Sequence, residues 1–280
     1  MATTTAQARP PALPAPRSHG QSLARFADVV RSEFTKIRSV RSTYWTLLVV
    51  IVVTVGLAAL FGWGTATHWD EMGPGGQANF DAAATSLAGL ILSQLVIVVL
   101  GALTITSEYS TGMIRTSLTA LPRRSLFYAA KALVFAVVAL IIGLVASFAA
   151  FFVGQGLLAS KHIDVTLAQP GVARAVIGGG LFLAACGLLA FGIGAVLRHT
   201  AGAITASIGL LFVLFILANF LPQSWQEHVD KWLPFNAGAQ IWTVKPSAHM
   251  FSPWAGFAVF CGYAAIALIA GLIVFHRRDA

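Results

Sequence analysis

The 280-residue chain is 57% hydrophobic and 10% charged, with a mean hydropathy of +0.79, whereas soluble domains carry about 25% charged residues. Too few polar side chains remain to surface a soluble domain of this length, so the chain is expected in a lipid bilayer. Its net charge of +8 comes from cations set between apolar runs, with no recognition helix or RNA-binding motif, which excludes a nucleic-acid partner.

Residues 1–22, rich in Ala, Thr and Pro and without the apolar core of a signal peptide, read as a disordered cytoplasmic tail. One membrane domain, 23–280, follows. In the stretch 22–41, SLARFADVVRSEFTKIRSVR, the residues Leu23, Phe26, Val30, Phe34, Ile37 and Val40 recur at steps of three and four, which marks one face of a helix. Arg31, Lys36, Arg38 and Arg41 fill the rest, so an interfacial amphipathic helix is expected, with Phe34 on its apolar side. It serves either as a plain membrane anchor or also as a contact for a cytoplasmic partner.

Six apolar runs come next, at about 43–63, 84–106, 125–156, 172–197, 201–221 and 253–275. Each reaches the roughly 20 residues that a crossing needs. The third is longer, so it must tilt, kink near Gly143 or project beyond the bilayer. With the N-terminus inside, 14 of the 18 Lys and Arg residues fall on the cytoplasmic side, and six of the seven Trp lie near the outer ends. Cation bias and the aromatic belt therefore place both termini in the cytoplasm. The three-residue link Arg198, His199, Thr200 makes the fourth and fifth spans antiparallel neighbours. The outer segment 222–252 holds no full crossing, and short re-entrant or interfacial helices are expected there. Gly180 with Ala184, and Ala190 with Gly194, set small residues one turn apart, as close helix contact requires.

Chemistry that would power or catalyse anything is missing from these runs. No Asp or Glu stands at mid-membrane, where ion-coupled transport needs one; Lys131 and Arg174 lie close enough to an interface to snorkel. The G-x-x-x-x-G-K-[ST] phosphate loop is absent, and the seven His residues show no metal-ligand spacing. Cys186 and Cys261 sit in apolar runs as small hydrophobes.

The most informative stretch is 106–131, TSEYSTGMIRTSLTALPRRSLFYAAK. Glu108 closes the second span, a short helix carrying Met113, Ile114, Leu118 and Leu121 follows under the membrane, and Pro122, Arg123 and Arg124 lead into the third span. A carboxylate at the bilayer edge is costly unless paired. Its partner is expected among Arg31, Lys36, Arg38 and Arg115.

With KIRSVRSTYWTL before the first span, SEYSTGMIRTSL after the second and LPRRSLFYAAK entering the third, the chain resembles the permease subunits of ABC-2-type ATP-binding-cassette transporters. The resemblance covers most of the chain and implies an all-α polytopic membrane protein of the half-size bacterial type, without a fused ATPase. It assigns Glu108, Gly112, Arg115, Pro122, Arg124 and Lys131 to the region that couples to the ATPase. It further implies a separate ATPase subunit holding ATP and Mg, a second permease copy, identical or not, and a pathway lined by the second and fifth spans. Ser93, Gln94, Thr205, Ser207 and Asn219 are the polar candidates on that wall, Gln94 serving either as an interhelical hydrogen bond or as a substrate contact. The expected function is export of an apolar or amphipathic cargo across the bacterial plasma membrane. The rival readings are a secondary transporter or channel with no ATPase, and a membrane enzyme or assembly factor, which lacks a catalytic cluster.

Overall fold

The computed structural model describes residues 19–39, 41–113, 124–245 and 249–277. These residues are almost entirely helical, with no strand among them. Helix α1 (His19–Ser39) opens inside the stretch read as a tail and leads to α2 (Arg41–His68), the first span. After the short α3 (Pro74–Asn79), the second span comes in two pieces, α4 (Ala82–Leu87) and α5 (Leu90–Ser110). The third and fourth spans are α6 (Arg124–Leu158) and α7 (Val172–Leu197). The fifth is α8 (Thr200–Ile208), a π-helical stretch Gly209–Val213 and α9 (Leu214–Ala218). Two short helices, α10 (Gln223–Val229) and α11 (Pro234–Ala239), precede the sixth span, α12 (Pro253–Arg277). All six expected crossings are thus present as helices long and apolar enough to span a bilayer.

The helices are arranged around α7. Of the most apolar 18 residues of α7, 72% are buried, against 22% for α2 and 17% for α12, so α7 is the axis and the other two show most of their surface to lipid. Small residues make this possible, because in lipid helices associate by close backbone approach. A Cβ on Gly101 of α5 would stand 2.2 Å from the carbonyl oxygen of Gly187 in α7, and one on Gly143 of α6 would stand 2.9 Å from that of Gly180. Gly194 is set against the Ile105 and Thr106 side chains of α5, while Ala184 and Ala190 are buried.

The long third span does not break at Gly143. At 1.5 Å per residue, α6 extends roughly 52 Å, well beyond the roughly 30 Å hydrocarbon thickness, so its extra length goes into tilt and projection. The break comes instead in the second span, at Ala88 and Gly89, where Gly89 presses on the Thr54 carbonyl of α2 (2.4 Å to a Cβ placed there). The Asp81 carboxylate accepts from the Ala84 N–H at 3.0 Å and starts α4. The fourth and fifth spans turn tightly: Arg198 adopts a left-handed φ of 56°, and His199 Nδ1 accepts from the Gly202 N–H at 3.1 Å. This brings α8 back alongside α7 and α5. Between α9 and α12 the chain forms short helices rather than a crossing, with α11 and the turn Gln240–Trp242 buried against α7 and α12.

Candidate functional site

At the end of the bundle that carries α1, four charged side chains from three helices meet away from solvent. Helix α1 lies on α6 with Val29 and Glu33 buried against it. Glu33 Oε1 is 2.7 Å from Lys36 Nζ, and its Oε2 is 2.6 Å from Lys131 Nζ. Glu108 Oε1, at the end of α5, is 2.8 Å from Lys131 Nζ and accepts from Lys36 Nζ at 3.3 Å. The side chains of Glu33, Lys131 and Glu108 are 3%, 6% and 7% exposed, and that of Lys36 is 33%. Both ammonium groups also lie over the Phe127 ring, at 5.4 and 5.5 Å from its centroid.

Two positive and two negative charges cancel here, which is what permits their burial. A single buried ion costs several kcal/mol, and only close, hydrogen-bonded partners offset it. Around Lys36, desolvation acts to lower the ammonium pKa, but the hydrogen bond to Glu33 and the attraction of Glu108 outweigh it and hold the pKa above its ordinary 10.5. Lys36 is therefore charged throughout the neutral range. The phenyl ring beneath adds attraction on the order of 0.5–2 kcal/mol per cation.

Of the three expected partners of Glu108 among the described residues, Lys36 is the one that reaches it; Arg31 and Arg38 are exposed on α1. Arg115 and Pro122, with the short helix expected around them, lie outside the described residues. One expectation needs correction. Lys131 does not snorkel to an interface: it is buried and spans both carboxylates, because two acids rather than one await it. Phe34, expected on the apolar side of α1, is 51% exposed, while Val29, Glu33 and Lys36 lie toward the protein. Glu33 escaped the sequence reading altogether. Its signal was present, since Glu33 stands three residues before Lys36 and so shares its face, and Lys131 within AAKALVF needed a counter-charge.

The other coupling candidates among the described residues are Gly112 and Arg124. Gly112 follows α5 with φ at 69°, where an L side chain would be strained, although a Cβ would meet nothing within 4 Å. The Arg124 guanidinium donates to the His276 carbonyl at 3.4 Å, which joins the start of α6 to the end of α12. Arg41 is exposed at the start of α2. Nearby, the Arg198 guanidinium lies 4.9 Å above the Tyr109 ring and donates to the Val274 carbonyl, and Thr200 Oγ1 donates to Thr106 Oγ1 at 2.9 Å. The fourth-to-fifth turn is thereby held to the second and sixth spans.

A cleft of about 390 Å³ opens beside the charged network, between the α1–α2 junction and the last three turns of α5. Lys36, Glu108 and Lys131 form its inner wall, Leu100 and Leu103 its apolar side, and Ser and Thr hydroxyls much of the remainder.

The five polar candidates for a pathway separate into two groups. Ser93 Oγ pairs with Thr54 Oγ1 at 2.6 Å, Gln94 Nε2 donates to the Ile91 carbonyl at 3.0 Å, and Ser207 Oγ donates to the Ala203 carbonyl at 2.7 Å. All three are fully buried within the chain, so they do not reach its surface. Gln94 also has Cys186 of α7 as a neighbour, Sγ to Oε1 at 3.9 Å, the interhelical role rather than a surface one. Thr205 and Asn219 are exposed on the fifth span.

At the opposite end, further polar contacts hold the bundle. The Arg174 guanidinium donates to the carbonyls of Ile241 at 2.7 Å and Thr243 at 2.9 Å, tying α7 to the buried turn rather than reaching for an interface. Gln155 donates to the Ala82 carbonyl and to Ser86 Oγ and accepts from the Val165 N–H at 2.7 Å.

The sequence of residues 29–229, well over half of the chain, matches the family described as ABC-2 family transporter protein. No curated protein is similar enough to the chain in sequence to match it. Six membrane-spanning helices, the buried charged junction at one end and this match lead to one conclusion: the chain belongs to the ABC-2 transporter family as a membrane-embedded permease.

Proposed function

We propose that the chain is the membrane half of an ATP-driven exporter in the bacterial plasma membrane, with both termini in the cytoplasm. ATP and Mg are held by a separate ATP-binding-cassette ATPase subunit, and two permease copies enclose the pathway. The observation that carries this reading is the network Glu33, Lys36, Glu108 and Lys131, which fastens α1 to the ends of α5 and α6. Those are the two ends that flank segment 113–124, where the ATPase is proposed to push. A displacement applied there cannot move α5 alone, because Lys131 holds Glu108 and Glu33 together at 2.6–2.8 Å; α1, α5 and α6 move as one body. The exposed Thr205 and Asn219, among the apolar residues of the fifth span, supply the polar points of a pathway suited to an apolar or amphipathic cargo.

Purification of the tagged chain in mild detergent tests this. An ATPase subunit is expected to accompany it, with ATP hydrolysis that falls in Glu108→Gln while the complex stays assembled. Uphill movement of a solute by the chain alone, driven by an ion gradient, would instead establish the secondary-transporter reading.

A further inference from the structure

The cleft beside the charged network carries hydrogen-bond donors that no group among the described residues takes up. An ammonium holds three N–H groups. Lys36 gives two of them, to Glu33 and Glu108, and with its side chain 33% exposed it keeps the third for the cleft. The hydroxyls of Ser42, Thr43 and Ser107 line the same space and have no hydrogen-bond partner among the described residues. By contrast, Ser39, Thr46, Thr104 and Thr111 donate to carbonyls one turn back in their own helices, at 2.7–2.9 Å. None of these four is buried, so water serves their lone pairs. The donors that await an occupant are thus one ammonium N–H and three hydroxyls, a set that suits an acceptor with several oxygens.

Charge points the same way. Two ammonium groups, Lys36 and Lys131, face one carboxylate, Glu108, on the wall of the cleft, and Glu33 is not part of that lining, which is therefore net positive. Glu108 opposes an anion little, since its Oε1 lies 2.8 and 3.3 Å from the two ammonium groups and its Oε2 has almost no accessible surface. A cation would meet the exposed side of Lys36 and be repelled. Leu103 and Met113, both exposed, extend the lining as apolar surface, which a hydrophilic solute leaves uncovered and a lipid chain covers.

We propose that this cleft binds the phosphate of an anionic membrane lipid. Lys36 Nζ and the hydroxyls of Ser42, Thr43 and Ser107 donate to the phosphate oxygens in charge-assisted hydrogen bonds. Lys131 adds its charge from the inner wall, and the lipid chain lies along Leu103 and Met113. The proposal stands apart from the export reading, since it requires only that the chain sit in a bilayer.

The test uses the full chain in nanodiscs of phosphatidylcholine, whose phosphate is neutralised by its own choline. The probe is phosphatidylglycerol, which carries an unbalanced negative charge, with a diazirine close to its glycerol backbone. Photolabelling is expected within residues 36–46 and 100–113. At probe levels that fill the site, a roughly tenfold excess of plain phosphatidylglycerol or phosphatidic acid lowers it about tenfold by mass action. Phosphatidylethanolamine, which brings its own ammonium, diacylglycerol, which lacks the phosphate, and inorganic phosphate, which lacks the chain, leave it unchanged. Ser42→Ala combined with Ser107→Ala removes two of the donors and is expected to weaken labelling about tenfold, while Ser110→Ala, at the same end of α5 but outside the cleft, does not. Both serines are exposed helical positions, where Ala is a good helix former, so the fold should hold. Labelling spread along α1 and unchanged in the double variant would reduce the effect to surface attraction by exposed arginines and overturn the proposal. Equal competition by phosphatidylethanolamine, diacylglycerol or inorganic phosphate overturns it as well. If the double variant does not fold, the labelled positions and the competition series on the unaltered protein decide the matter by themselves.

Discussion

Lys131 is the side chain on which the charged junction depends most. It is nearly buried and neutralises two acids at once, so Lys131→Met leaves a net charge of the wrong sign in a dry place. Removing one partner of a buried pair costs about 3–5 kcal/mol, and the thermal midpoint in detergent should fall accordingly. Adding Glu33→Gln to that variant should restore part of the loss, since residues in one network couple by about 0.5–3 kcal/mol. Lys36 gives a second prediction, in pH. Its folded pKa is raised above 10.5, so its contribution is complete below the ordinary lysine value and disappears as pH rises through the folded one. Stability from this group is therefore level between pH 7 and 9 and declines only in strong alkali. A Lys36→Met variant, followed by the same unfolding scans, should lack that part of the alkaline decline. The sequence disclosed Glu108 as a charge in a costly position, whereas Lys131 read as free to snorkel. It concealed Glu33, because periodicity sorts residues by polarity and assigns a lone acid among basic neighbours to water.

At the scale of elements, glycines divide into those that let helices meet and those that do not. Gly101 and Gly56 are both interior helical glycines in apolar spans. A Cβ on Gly101 would stand 2.2 Å from the Gly187 carbonyl oxygen, backbone that cannot swing aside, whereas one on Gly56 meets nothing within 4 Å. Gly101→Ala must part α5 from α7, and overpacking of this kind costs about 1–3 kcal/mol or more. Gly56→Ala is expected to be neutral or to stabilise by up to about 1 kcal/mol, the gain in helix propensity. Opposite shifts in the thermal midpoint of the two variants would check the crossing geometry. Span positions were readable because hydropathy alone sets them, and α7 coincides with the expected 172–197. The interruption of the second span at Ala88 and Gly89 was not, because no Pro marks it; Gly89 there lies against the Thr54 backbone of a neighbouring helix. The π-helical stretch in the fifth span leaves equally little trace in residue type.

In the whole molecule, the two ends of the bundle are held by different means, and this separates transmission from mere stability. At one end, ion pairs join α1, α5 and α6; at the other, Gln155 bridges α4, α6 and the loop at Val165 through neutral hydrogen bonds. If the charged junction conveys force, Glu33→Gln and Glu108→Gln should each lower transport per ATP hydrolysed, and the double variant should lower it little further, because both carboxylates share the Lys36 and Lys131 ammonium groups and either change already unbalances the network. Glu33 and Glu108 are 75 positions apart, so shared loss and lack of additivity would reflect the fold rather than local sequence. Gln155→Leu leaves polar groups unpaired at the far end, at a cost of about 1–3 kcal/mol, and should lower the unfolding midpoint while transport per ATP stays as it was. Reconstituted with the ATPase subunit, the three variants and the double variant distinguish the two roles in one assay: a fall in transport per ATP for Gln155→Leu equal to that for Glu108→Gln would mean that loosened packing alone accounts for the loss, and that the junction transmits nothing.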